Sequence, residues 1–226
     1  ENQMYLLAKN LPKEKYVVTL ACSSGKKLDS WCKKFLDLGA NVLRLKVLHK
    51  HDPRHFLYLK KILPRFDLMH MHVWNPGSGR YGFLAAKKTP LVITEHDPFK
   101  LTGIKGWLKN KLIKRAKKII TVSKAASELV LSQDHSIADR LVVIPNGIDI
   151  GEWREESKLS DRNEFRRVHF KASPRNRVII CVGELHDRKG QKYLIEAYKK
   201  LVTEFPETKL IFVGDGPRKR YYEKLS

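Results

Sequence analysis

Short runs of β-branched and apolar residues recur along this chain, and segments of helical spacing separate most of them. The runs are Tyr16–Cys22, Asn41–Val47, Asp67–His72, Leu91–Thr94, Lys118–Val122, Leu141–Ile144, Val178–Val182 and Lys209–Val213. Between them, Leu28–Leu38 carries Trp31, Phe35 and Leu38 at helical intervals, and Lys124–Leu131 follows Ser123, a good N-cap residue. Strand, helix, strand at this spacing predicts an α/β chain of βαβ units, with a mostly parallel sheet covered on both faces. Residues 1–147 are expected to form one such sheet of six or seven strands, and Val178–Val182 should pair with Lys209–Val213 in a second.

The rhythm breaks once, between Gly147 and Asn176, where charges are dense and no clean period survives. The expected organisation is therefore an α/β domain over 1–147, a linker over 148–176 with room for a short helix, and the start of a second α/β domain over 177–226. Two strands give that second domain too little sheet to bury both faces. The chain begins at Glu1 with no signal peptide, opens in helical spacing over Glu1–Asn10 and closes in it over Pro217–Ser226. Both ends read as cut.

A hydrophobic fraction of 42% suits a chain that buries a core. No run of about 18 apolar residues is present, so no membrane-spanning helix is expected. Cys22, Cys32 and Cys181 are too few and too scattered for a disulfide framework or a C-x-x-C zinc site. Cys22 and Cys181 read as small core residues, and a reducing cytoplasm fits them. The net charge is +21, from 45 Lys and Arg against 24 Asp and Glu. Such a field attracts nucleic acid, anionic lipid or phosphorylated substrates, and charge alone does not choose among them.

Three stretches carry candidate chemistry. Val178–Gly190 reads as a buried strand ending at Gly183, then a short loop with Arg188 and Lys189 where the next helix begins. Backbone N–H groups and a cation at that place can neutralise a diphosphate; a basic surface loop fits equally well. Leu210–Pro217 ends in Gly214-Asp215-Gly216-Pro217, where the glycines permit a tight turn beside a ligand and Pro217 suits a first helical position. Pro145–Asp149 contains Asn-Gly, a turn signal. Read singly, the last two are ordinary connections.

Taken together they resemble the retaining glycosyltransferases of the GT-B fold, family four (group one). Ile144–Asp149, Val182–Gly190 and Leu210–Pro217 are similar to the family's V-x-N-G-[VI]-D, V-G-R…K-G and L-x-x-V-G-x-G-P segments, in the same order. Asp67–His72, Pro90–Asp97 and Ile120–Ser123 look like its D-[VIL]-x-H-x-H, P-x-V-x-T-x-H and I-x-V-S elements. The resemblance implies two Rossmann-like domains facing across a cleft, the acceptor on the first and the donor on the second. It implies a hexosyltransferase that uses a nucleotide-diphosphate-sugar as co-substrate, with no cofactor and no essential metal. His96 would approach the transferred sugar as the catalytic residue. Gly183, Arg188 and Lys189 would hold the donor phosphates, and Gly214, Asp215, Gly216 and Pro217 the nucleotide. His72, Asn75 and Arg80 would lie on the acceptor side, whereas His70 reads as a strand histidine. Two departures stand out. Glu184 occupies the family's arginine position, where a carboxylate repels a diphosphate. The family's E-x₇-E segment would fall beyond Ser226, so this chain alone is expected to be inactive.

From Lys100 to Lys118 lie eight basic residues and no acidic one. Ile104, Leu108, Leu112 and Ala116 share one helical face, with Trp107 beside them. This segment fits a basic amphipathic helix on an anionic membrane surface, or an ordinary helix packed on the sheet through that face. The corresponding location is cytoplasmic, with a peripheral site at the inner face of the membrane as its variant, and a glycan or lipid-linked molecule as acceptor. The competing reading is a non-enzymatic nucleic-acid-binding protein. No RNP, KH-type or zinc-finger pattern supports it. A GT-B-fold epimerase or phosphorylase remains open, because fold does not fix function.

Overall fold

A computed structural model describes residues 2–47, 49, 52–73, 79–100, 102–158 and 161–225. The chain divides into two compact units, Glu1–Ile148 and Asp149–Ser226. The first unit runs α1 (Asn2–Asn10), β1 (Thr19–Ser23), α2 (Asp29–Asp37), β2 (Asn41–Leu45), α3 (Arg54–Ile62) and β3 (Met69–Val73). It continues with α4 (Arg80–Ala85), β4 (Leu91–Glu95), α5 (Gly103–Ile113), β5 (Lys118–Thr121), α6 (Lys124–Leu131) and β6 (Leu141–Val143).

Every pairing among the described strands is parallel, as the alternation requires. Among the described residues, the single sheet expected over 1–147 is instead two, β1-β2 and β3-β4-β5-β6. Each has its own core. Ala8, Leu20, Cys32 and Phe35 close over β1-β2, with Trp31 edge-on to Phe35 at 4.8 Å. Leu91, Ile93 and Ile119 lie at the centre of the four-stranded sheet, fully buried among Met71, Val73, Phe83, Leu112, Ile113 and Val130. The fully buried thiol is Cys32; Cys22 is half-buried and packs on the same core, as read from the sequence, whereas Cys181 is half-buried outside the core of its own unit.

On β3, Met69, Met71 and Val73 turn into this core, which leaves His70 and His72 on the other face. Helix α4 lies directly on the methionines. A Cβ at Gly82 would overlap the Met71 sulfur, so any larger residue there would have to push the methionine side chains aside. Ser123 caps α6 by accepting from the Ala126 N–H, as its sequence position predicts.

Helix α5 departs from expectation. Its buried residues are Gly106, Lys109, Leu112 and Ile113, while Ile104, Trp107 and Leu108 are exposed. The apolar face read from the sequence is rotated, because a lysine takes part in the packing. Of the eight basic residues there, Lys109 pairs with Glu95 and Lys114 with Asp134.

The segment read as a linker, 148–176, carries two helices among its described residues, both in the second unit: α7 (Ile150–Lys158) and α8 (Arg162–Phe170). Asp161 caps α8 by accepting from Asn163 and Glu164 N–H groups, a signal present in the sequence. Then follow β7 (Arg177–Val182), α9 (Gln191–Glu204), β8 (Thr208–Val213) and α10 (Lys219–Leu225). Leu185, Ile195 and Tyr222 pack with Leu210 and Phe212 on one side of the β7-β8 pair. Ile180 and Val182 are exposed.

Candidate functional site

The first unit lines up three histidines along β3 and β4, with His72 and His96 at the carboxyl ends of the two strands and His70 nearer the start of β3. The parallel register sets His70 opposite Val92 and His72 opposite Thr94, with His96 one step past the end of β4. Each β3 histidine reaches diagonally forward to its neighbour strand. His70 Nε2 is 2.9 Å from Thr94 Oγ1, and His72 Nδ1 is 3.0 Å from His96 Nε2. The His72 and His96 rings stack at 5.2 Å, and the His96 N–H donates to the Val73 carbonyl at 3.1 Å.

Burial disfavours the imidazolium form at all three positions. It is the main cause that lowers the His72 pKa to about 3, with the neighbouring His70 and His96 adding to it. His70 and His96 are also shifted down, chiefly by burial. At neutral pH the rings are therefore uncharged, and each offers one donor and one acceptor nitrogen. The His72–His96 bond couples the tautomers of the two rings. Such a set can hold and orient hydroxyl groups without carrying charge.

Directly before His96 sits a buried ion pair that no sequence signal identified. Lys109 Nζ lies 3.2 Å from Glu95 Oε2, with each side chain 7% exposed. It fixes α5 against the end of β4, and so fixes the backbone that presents His96. The acceptor-side position Asn75 lies outside the described residues. Arg80 opens α4, and its guanidinium stacks on Tyr81 at 4.9 Å. Tyr81 also lines an open apolar hollow of about 420 Å³, together with Pro53, Phe56, Leu57, Leu84 and Lys87. A further pairing missed in the sequence is Gln3. Its amide exchanges hydrogen bonds with both backbone groups of Gly147, at 2.7 and 2.9 Å, and so anchors the Asn146-Gly147 segment, which is extended chain rather than the turn its sequence suggests.

In the second unit the loops after β7 and β8 are interlocked. Gly183 N–H donates to the Val213 carbonyl, Leu185 N–H to Asp215 and Arg218 N–H to Leu185. Gly214 has φ +153°, and a Cβ there would overlap the Gly183 carbonyl. One at Gly216 would meet the Leu185 backbone. These glycines let two strand-end loops touch, which explains their spacing better than an isolated turn does. Asp215 Oδ1 accepts from the Gly216 N–H at 2.9 Å. Pro217 lies in the turn that leads into α10.

Arg188 and Lys189 belong to a short 3₁₀ turn, Asp187–Lys189, capped by His186 Nδ1. Arg188 Nη2 pairs with Glu184 Oε2 at 3.2 Å, so the carboxylate at the family's arginine position is held by the neighbouring cation. Lys189 is exposed and makes no ion pair among the described residues. Asp187 is bound by Arg218 at 2.6 Å, and that hydrogen bond holds its carboxyl below the usual carboxylate range. Gln191 starts α9 fully buried. It donates to the Glu184 carbonyl at 2.7 Å and fixes the loop from beneath.

Residues 1–152 match the model of Glycosyltransferase Family 4, and residues 161–226 match Glycosyl transferases group 1. The chain belongs to glycosyltransferase family 4. Its α/β units with parallel sheets have the GT-B glycosyltransferase fold, shared with Anabaena HepE, solved in complex with UDP-glucose. HepE matches 99% of this chain and 60% of its own at a TM-score of 0.74 and 19% identity. A glycosyltransferase of Methanocaldococcus jannaschii is 35% identical over 107 residues, which cover 47% of this chain and 27% of the relative. The Escherichia coli UDP-Gal:alpha-D-GlcNAc-diphosphoundecaprenol alpha-1,3-galactosyltransferase is 25% identical over 229 residues, covering 91% of this chain and 56% of the relative. The family 4 chain thus spans about a quarter to a little over half of these curated relatives. Among the described residues, no helix is long and apolar enough to cross a membrane.

Proposed function

We propose that the full-length protein transfers a hexose from a nucleoside diphosphate sugar to a glycan or lipid-linked acceptor, with retention of configuration and without a metal. The observation that carries this reading is the interlocked pair of loops, Gly183–Gly190 and Gly214–Pro217, at the carboxyl ends of two adjacent parallel strands. This is where an α/β sheet presents backbone to a ligand. Lys189 stands there beside the start of α9 and would neutralise the departing diphosphate, the main electrostatic demand of the reaction. Arg188 is already engaged by Glu184, so Lys189 takes the leading role and Arg188 a supporting one. Gly214 to Pro217 would lie along the nucleotide. On the first unit, His96 would face the transferred sugar with His72 behind it, and Asn75 and Arg80 would serve the acceptor. The acceptor named for the Escherichia coli relative, a diphosphoundecaprenol-linked sugar, supports a lipid-linked acceptor here.

The exposed face of β7-β8, with Ile180 and Val182, supports an active form with more of the second unit present. On this reading residues 1–226 alone do not turn over. Calorimetry on the full-length protein tests the donor site. Lys189→Ala should weaken nucleoside diphosphate sugar binding by about 1.5–3 kcal/mol, the worth of a charge-assisted hydrogen bond. Unchanged affinity removes Lys189 from the site. Turnover in the presence of a chelator, with the product anomer read by NMR, tests metal independence and retention.

A further inference from the structure

Helix α5 is built inside out. Around its axis, Gly106, Lys109, Leu112 and Ile113 turn inward, and Lys109 is neutralised there by Glu95. The opposite stripe is Ile104, Trp107, Leu108 and Lys111, at helical spacings of three and four. Ile104 is 84% exposed, Trp107 62% and Leu108 44%. A helix on a sheet ordinarily shows water its polar side. Contiguous apolar side chains left outside mark a contact surface.

The charge around that stripe selects the partner. No acidic residue occurs from Pro98 to Ser127. With Lys109 and Lys114 taken by Glu95 and Asp134, Lys100, Lys111, Arg115 and Lys117 keep their charge without an acidic partner among the described residues. The Lys111 ammonium lies over the Trp107 ring at 4.9 Å, so cation and indole share one outward patch. An indole flanked by lysines, with aliphatic side chains beside it, matches the boundary between phosphate headgroups and acyl chains.

We propose that the outward face of α5 seats on an anionic bilayer, with Ile104, Trp107 and Leu108 at the acyl boundary and the basic side chains on the lipid phosphates. This goes beyond the transfer reaction and does not rest on it. Vesicle sedimentation of the protein tests it, with phosphatidylcholine alone and with phosphatidylglycerol added. Binding should require phosphatidylglycerol and fall about tenfold or more from low to high salt. Ile104→Ser with Trp107→Ser should cost about another tenfold by removing the inserted area, and Lys111→Glu several-fold. Since these side chains are exposed, circular dichroism should remain unchanged. Brominated lipid should quench the fluorescence of the wild type and quench Trp107→Phe much less. No vesicle binding, equal binding to neutral vesicles, or binding indifferent to the double serine variant overturns the proposal. So does a soluble dimer that Ile104→Ser disperses, which would assign the face to a second copy of the chain.

Discussion

His72 Nδ1 and His96 Nε2 lie 3.0 Å apart, joining neighbouring parallel strands at the point where β4 ends. Because both rings are neutral, the proton shared in that bond decides which nitrogens remain to donate or accept. On the proposed reading, in which His96 faces the transferred sugar, His72 positions His96 through this bond. In the full-length protein, His72→Phe keeps the ring and loses the bond; kcat should fall about tenfold, the worth of one hydrogen bond. The donor KM should stay within about twofold. His72→Asn places an amide atom near the Nδ1 position and should recover part of the loss. A rise in KM with kcat unchanged would count against the assignment.

The same cluster makes stability depend on pH. The folded His72 titrates near pH 3 and the unfolded one near 6.5. Between those values the unfolded chain binds more protons, so stability falls as pH drops through this window and is whole above it. The slope from this residue is at most about 1.4 kcal/mol per pH unit. Urea unfolding as a function of pH should show a shallower slope for His72→Asn between about pH 6 and 4.

Removing one partner of the Glu95–Lys109 pair leaves a buried charge uncompensated. Lys109→Met should lower stability by about 3–5 kcal/mol in urea unfolding. The double change Lys109→Met with Glu95→Leu should recover much of that, because burying no charge costs less than burying one. Equal losses for single and double variants would show that packing, not charge, matters there.

Gly214→Ala should destabilise the second unit, since its Cβ would collide with the Gly183 carbonyl at a backbone angle that disfavours side chains. A loss on the order of 1–3 kcal/mol is expected. Hydrogen exchange should locate it in faster amides on β7 and β8, with the histidine cluster of the first unit unaffected. Exchange unchanged on both strands would rule out the interlocked loops.

The order of strands and helices was legible in the sequence because its signals are local: β-branched runs, helical spacing, and caps such as Ser123. Parallel pairing followed, since each helix between runs imposes a crossover. The candidate residues were legible only as motifs, and their partners were not. In the sequence Glu184 is a repulsive departure; in the fold Arg188 holds it. In the sequence Gly214 and Gly216 are turn residues; in the fold each lies against the neighbouring loop. Residues 148–176 lack a clean apolar period, so the two helices there left only the Asp161 cap as a trace.

By itself the sequence determined the element order outside residues 148–176, the parallel hand of the sheets and, through its motifs, the family. All of these follow from periodicity and motif order along one dimension. The tertiary structure decided where the sheet divides, which way α5 faces, and that Lys109 lies inside while Trp107 lies outside. The reason is physical. A lysine is placed by its counter-charge, and Glu95 is fourteen residues away in sequence but within hydrogen-bonding distance in space. No helical period records such a partner; only the packing of α5 on the end of β4 brings the two together.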